Sequence, residues 1–216
     1  MLFSLSNSNE LLFADYVLLT EGKTEWRVLP ALFERLTGQS FALIKCALVR
    51  QGGVSNTRKS MQVLSAMDMP VRAIVDLDYA FTTATRDGFL EPNDPDIRFC
   101  TNLFRELAFH NHLRLVNGRP VNKHSNISAS KAYAMMAAMP EAETPIKSIH
   151  MKLRQQGIWV WTKGAIEEHL GLEAKNETAW SNFIERCKGQ NFVKNLPDYE
   201  GIEALCQWII DGSREV

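Results

Sequence analysis

The chain has 216 residues, 45% of them hydrophobic and 23% charged, with a formal net charge of −1. That is the composition of a globular chain long enough for one sizeable domain, or for one domain with an insertion. No run of about eighteen apolar residues occurs, which excludes a membrane-spanning helix, and the net charge gives no bulk attraction to nucleic acid, although a neutral total can hide opposite local fields.

The opening MLFSLSNSNELLF has no basic start and is broken by Ser, Asn and Glu, unlike a secretory signal. Residues 16–20 (YVLLT) form an apolar run too short for a helix, which predicts a strand buried on both faces. A helical pattern follows Gly22, with Leu29, Leu32, Phe33 and Leu36 on one side and a stop near Gly38. Pro30 falls inside it, so the helix either kinks there or becomes regular there. Residues 41–49 (FALIKCALV) read as a second strand. After the loop RQGGVSN, Ser55 or Asn56 is placed to cap a helix running to about Met67. Residues 71–75 (VRAIV) read as a third strand, ending in Asp76-Leu77-Asp78. The order strand, helix, strand, helix, strand predicts a parallel sheet with right-handed crossovers.

GFLEPNDPD reads as a surface loop. Residues 97–156 read as mainly helical, with one helix through Ile97, Cys100, Phe104 and Leu107, a second over 128–139 and a third opening at Thr144-Pro145. Gly157-IWVWT reads as a last strand ending at Lys163-Gly164, with a helix from Ala165. The expected organisation is an α/β core over 13–96, a helical insertion over 97–156, the last core strand and helix over 157–175, and a helical tail over 176–216. The four cysteines, Cys46, Cys100, Cys187 and Cys206, form no Cys-x-x-Cys pair. They read as reduced, packed thiols of a cytoplasmic protein.

LLTEGKTE invites a phosphate-loop reading. Such a loop needs a glycine five positions before its final Gly-Lys. That position is Val17, in mid-strand, so the glutamates carry more meaning than the GKT. Glu21 follows the first strand and Glu25 lies one helical turn on. Asp76 and Asp78 follow the third strand; being two apart, they are expected on one side of it. Lys163 follows the last strand, with Glu167 and Glu168 in the helix behind it. Strand C-termini in a parallel sheet share one edge, where ligands bind. Crowded carboxylates at such an edge call for a cation, and hard oxygen donors favour Mg²⁺ or Mn²⁺. Two such ions would suit in-line phosphodiester displacement.

TEGKTE after an apolar strand, and VDLDYAF after a later one, resemble the glutamate and Asp-x-Asp motifs of the TOPRIM fold. FADYVLLTEGKTEWRVLP, QGGVSN and WTKGAIEEHL are most similar to segments of the OLD (overcoming lysogenization defect) nucleases. The resemblance spans residues 13–172 and covers the nuclease half of that family, without its ABC-type ATPase domain. It implies a Rossmann-like TOPRIM sheet flanked by helices, with the helical insertion before the last strand. It implies metal ligation by Glu21, Glu25, Asp76, Asp78 and Glu167, charge stabilisation by Lys163, and a metal-activated water as nucleophile. Glu21 is either a ligand or the general base. The implied activity is endonucleolytic cutting of DNA in anti-phage defence, with an ATPase domain or subunit as partner; many such nucleases are homodimers.

Between Arg98 and Lys131 the basic residues are Arg98, Arg105, Arg114, Arg119, Lys123 and Lys131, and Glu106 is the one acid. This stretch is expected to hold a DNA backbone through salt-sensitive contacts, unless it is simply a solvated helical face. Arg50, Arg58 and Lys59 could meet phosphate as well. His110-Asn111-His112 lacks the companion ligands of a zinc site, and Trp159 and Trp161 read as packing residues. Two other readings compete: a TOPRIM module that binds without cutting, and a haloacid-dehalogenase-like phosphatase suggested by AIVDLDYA. The second leaves Glu21 and Glu25 unexplained.

Overall fold

A computed structural model describes residues 8–51, 53–189 and 191–214. Gly52 of the glycine loop and residues 1–7 of the opening stretch lie outside the described residues. Four strands take the order β2-β1-β3-β6, with β1 Tyr16–Thr20, β2 Cys46–Arg50, β3 Val71–Val75 and β6 Ile158–Val160. The chain divides into two compact units, one made of the segments up to Ile74 and from Ile166 onward, the other of Val75–Ala165.

In the first unit β1 is central and pairs in parallel with β2 and β3, in a register that sets Thr20 beside Arg50 and Ile74. All five residues of β1 are buried, as a strand covered on both faces requires. The helix α1, Lys23–Thr37, runs through Pro30 without interruption. It ends at Gly38, whose φ of 70° is the left-handed C-cap that glycine takes without strain. The second strand is shorter than its apolar run, since residues 41–45 form a turn in which Lys45 has φ 48°. α2, Thr57–Ser65, follows Asn56, whose side chain donates to the Gln51 carbonyl and does not cap the helix. α7 (Ile166–Leu170), α8 (Glu177–Cys187) and α9 (Tyr199–Arg214) complete the unit. α9 lies close against the sheet at Gly212, where a Cβ would stand 2.8 Å from the Tyr16 hydroxyl and 2.9 Å from the Arg72 guanidinium. Arg72 also stacks on Trp208, 4.9 Å from its ring centroid.

In the second unit Trp161 N–H donates to the Val75 carbonyl (3.0 Å) and Leu77 N–H to the Gly164 carbonyl (2.7 Å). The two segments therefore ascend side by side. α3 (Asp78–Thr82), α4 (Pro95–Asn111), α5 (Ala129–Ala137) and α6 (Glu143–Arg154) surround them. α4 starts two residues earlier than its apolar spacing indicates, because Asp94 caps Asp96 and Ile97 and Pro95 fills the tolerated first position. Lys152 of α6 pairs with Asp94 (2.6 Å) and Asp96 (2.7 Å), tying α6 to α4. Phe81, Phe104 and Tyr133 meet as a triangle of rings with centroids 4.9–5.7 Å apart. The four cysteines are buried and free, and burial pushes the Cys100 and Cys206 thiols up to about 12.

Candidate functional site

The first unit carries Glu21, Glu25 and Glu167. Glu21 directly follows the buried strand and is itself half-buried. Gly22 is the N-cap of α1, in ordinary extended backbone, and Lys23 of the Gly-Lys-Thr triplet is exposed. Glu25 is only 3% exposed. A Cβ on Gly22 would stand 3.0 Å from Glu25 Oε2, so the carboxylate folds back over the glycine. That is the N3 position, where a glutamate reaches toward the helix start and the helix dipole favours its charge. The glycine of EGKT therefore makes room for a carboxylate, not for a phosphate.

Thr24 joins this turn to α7, its hydroxyl donating to Glu167 Oε1 at 2.6 Å. Lys175 Nζ lies 3.0 Å from Glu167 Oε2. Glu167 is 7% exposed, and a carboxylate so far from water needs partners of this kind. Two residues on, His169 Nδ1 and Asp198 Oδ2 form a close hydrogen bond that anchors the same short helix. Beside the end of β1, Gln51 N–H donates to the Thr20 carbonyl (3.0 Å) and Gln51 Nε2 to the Thr57 hydroxyl (2.9 Å). Arg58 and Lys59 are exposed on the helix that follows.

The second unit carries Asp76, Asp78 and Lys163. The two aspartates do not share a strand face: β3 ends at Val75, Leu77 is already helical (φ −60°, ψ −30°) and Asp78 opens α3. The intervening side chain is driven inward, Leu77 being 0% exposed, while both aspartates stay half-buried. Lys163 is half-buried and precedes Gly164, whose φ of 115° an L side chain rarely adopts. A Cβ there would also stand 3.2 Å from the Ala134 backbone. The Lys163 loop is thus fixed by close approach of α5 and by the Leu77–Gly164 hydrogen bond.

Arg119 gains a context that its charge alone does not reveal. It is half-buried on a hairpin of β4 (Leu115–Val116) and β5 (Arg119–Pro120) turned by Asn117 (φ 52°) and Gly118 (φ 75°). Asn-Gly with both φ values positive is the turn whose twist matches a two-residue hairpin. That dipeptide is the signal by which the hairpin could have been read. The Tyr133 hydroxyl is pushed up by burial and then by the charge of Asp78, while Arg119 acts in the opposite sense. Both charges therefore act on one buried hydroxyl. Arg98 and Arg105 of α4, Arg114, Lys123 and Lys131 are exposed, as are His110, His112 and His124.

The donors in both units are carboxylates, the chemistry that Mg²⁺ or Mn²⁺ takes. Among the described residues, no three or more His, Cys, Asp or Glu side chains are gathered so as to hold an ion. The donor types in each unit are those a hard cation takes.

The family model described as "Overcoming lysogenization defect protein-like, TOPRIM domain" matches residues 12–78. The chain is 28% identical to the Old nuclease of Escherichia phage P2, over 96% of this chain and 35% of that protein, so it spans about a third of that relative's length. Among solved structures it is similar to the C-terminal region of the Xanthomonas campestris pv. campestris OLD protein (TM-score 0.42, 13% identity, 94% of this chain and 95% of that one). It is also similar to the C-terminal region of the Burkholderia pseudomallei OLD protein (TM-score 0.40, 11% identity, 94% and 98%). Residues 12–78 thus match the TOPRIM domain of the OLD-like family.

Proposed function

We propose that this chain is a divalent-metal-dependent DNA endonuclease that nicks or cuts phosphodiesters, acting in the cytoplasm with an ABC-type ATPase domain or subunit in anti-phage defence. The observation that carries the reading is the span of the family match. It opens before β1 and ends on Asp78, and so takes in Glu21, Glu25, Asp76 and Asp78 together. A phosphatase reading leaves the two glutamates without a role. The relative matched along nearly the whole chain bears the name of a nuclease. The defence role and the ATPase partner rest on the family resemblance.

Glu21, Glu25, Asp76, Asp78 and Glu167 would hold one or two Mg²⁺ or Mn²⁺ ions. Bound there, the ions would offset charge on the scissile phosphate and make water a competent nucleophile at neutral pH. Glu25 and Glu167 contribute carboxylates already removed from bulk water, where their charge acts most strongly. Thr24 keeps Glu167 turned toward α1. Glu21, nearer to solvent, serves as a ligand or takes the proton of the attacking water. Lys163, on its fixed loop, stabilises the charge that develops on phosphate. Arg98, Arg105, Arg114, Arg119, Lys123 and Lys131 hold the DNA backbone.

One observation favours a second reading. Glu167 already has Lys175 as counter-ion, which is what a TOPRIM module that binds without cutting would need. Incubating supercoiled plasmid with the purified chain and Mg²⁺, Mn²⁺ or EDTA separates the two readings. Metal-dependent nicking should fall by about a hundredfold or more in both Asp76→Ala and Lys163→Ala. Equal residual cutting by wild type and both variants would sink the nuclease reading. Metal binding without any cutting, with the ATPase partner supplied, would establish the non-cleaving module.

A further inference from the structure

We propose that the outer face of α4 is a stacking surface for single-stranded DNA, with Phe109 as the base platform. This rests on the reading of DNA as the substrate and names the form of DNA the chain prefers. Arg98, Asn102, Arg105 and Phe109 follow one another at spacings of four, three and four residues, which places them along one line of the helix. All four are exposed. The opposite side of the helix packs inward, with Cys100, Leu103 and Phe104 buried. Phe109 is 83% exposed, which leaves its ring open to solvent.

The polar members of the line suit an anionic strand. Arg105 Nη1 donates to Asn102 Oδ1 at 3.0 Å, which orders the guanidinium along the face. Arg98 stands two turns before it. Glu106 is exposed at the edge of the face, one residue round from Arg105, and it is the one acid between Arg98 and Lys131. The Phe109 ring meets the His110 ring edge-on, with centroids 5.2 Å apart and planes at 85°, a contact that orients the ring while leaving it open.

This combination fits one occupant better than others. A helix docked in an apolar protein groove needs apolar residues recurring at such spacings. Here a single aromatic is preceded on its line by two arginines and an asparagine. Duplex DNA offers phosphates to the arginines but hides its base faces in the stack. A single strand offers both, and aromatic stacking beside basic backbone contacts is how sequence-tolerant single-strand binding is built. α4 would then favour nicked, flapped or frayed DNA over an intact duplex.

The test measures binding of the full chain to a short labelled single strand and to its duplex, by fluorescence anisotropy in EDTA so that nothing is cut. Phe109→Ala should weaken single-strand binding by roughly fivefold to a hundredfold and leave duplex binding unchanged. Phe109→Trp should retain the single-strand affinity. Arg105→Ala should weaken both and reduce the salt dependence. Unaltered single-strand affinity in Phe109→Ala, or equal losses on both DNAs, would overturn the proposal. So would sedimentation showing that Phe109→Ala dissociates a dimer while single-strand binding persists, since a second copy would then occupy this face. Binding in EDTA is independent of cutting. Phe109-dependent single-strand binding by a chain that cuts no plasmid in Mg²⁺ with the ATPase partner supplied would reject the nuclease reading alone, whereas no binding to either DNA would overturn this proposal and leave the nuclease reading to the plasmid assay.

Discussion

Glu25 and Asp78 each lie in the first turn of a helix that follows a buried strand, yet the two turns hold their carboxylates by different means. Around Glu25 the local chain does the work. Gly22 gives up its side chain, the carboxylate folds into that space, and a helix of fifteen residues carries the turn. Around Asp78 the helix has only five residues and would not persist alone. It is held from below, by Leu77 at 0% exposure, by Tyr79 at 0%, and by Phe81 in the ring triangle with Phe104 and Tyr133. One acid is placed by what is missing beside it, the other by what is buried beneath it. The first should answer to changes of a few atoms near the carboxylate, the second to changes in the core.

Phe81→Ala tests the core-anchored turn and should have the largest effect. Phe81 is 7% exposed and its ring contacts two others. Truncating a buried phenylalanine costs about 3–5 kcal/mol through lost burial and the cavity left behind. The unfolding free energy from urea denaturation should fall by that amount. Metal-dependent nicking should fall further than the loss of folded protein explains, because α3 loses its main fixing point. Phe81→Leu, which refills most of the space, should recover both. A variant as stable as wild type would mean that the ring triangle does not hold α3.

Thr24→Val comes next and touches the first turn. The substitution keeps the shape and removes the hydroxyl that donates to Glu167 Oε1. A buried hydrogen bond to a charged group contributes about 1.5–3 kcal/mol. Denaturation should show a loss of that size, and Thr24→Ser should restore it. Manganese affinity measured by calorimetry should fall in the valine variant if Glu167 is a ligand that Thr24 orients. An unchanged affinity alongside lower stability would reduce Thr24 to a structural role.

Much of this arrangement is legible in the sequence, for reasons that also explain what is not. YVLLT and VRAIV are short apolar runs with a turn at each end, and the observed β1 and β3 have those bounds. The acids at their ends could be placed because strand ends are where such runs stop. FALIKCALV misleads, since an apolar run does not distinguish a strand from a packed turn; Phe41 is buried by stacking on Phe33, 4.7 Å away, without joining the sheet. The strand periodicity assigned to Asp76 and Asp78 fails because helical backbone begins between them, at Leu77. The Asp94-Pro95 helix start and the Asn117-Gly118 hairpin carry local signals strong enough to be read. The bond from Thr24 to Glu167 joins residues 143 apart in sequence, and no local pattern announces it.

Gly22→Ala should have the smallest effect on stability and is the sharpest test of the first turn. The backbone at Gly22 is extended (φ −113°, ψ −179°), a conformation any residue adopts, so alanine brings no backbone strain. Alanine is a poorer N-cap than glycine, but it also lowers the freedom of the unfolded chain, and the two effects nearly offset one another, leaving a change of less than about 1 kcal/mol. The new methyl meets Glu25 Oε2 at 3.0 Å, closer than a methyl and a carboxylate oxygen settle, and the carboxylate is the flexible partner that must move. If Glu25 acts as a ligand from its folded-back position, metal-dependent nicking should fall by about tenfold or more in a protein that melts like wild type. Glu25→Gln supplies the reference, since it keeps the shape and removes the charge. Full activity in Gly22→Ala together with full activity in Glu25→Gln would leave Glu25 as a helix-start residue with no part in the chemistry. Loss in both would mean that the glycine of EGKT is there to let a carboxylate reach its metal.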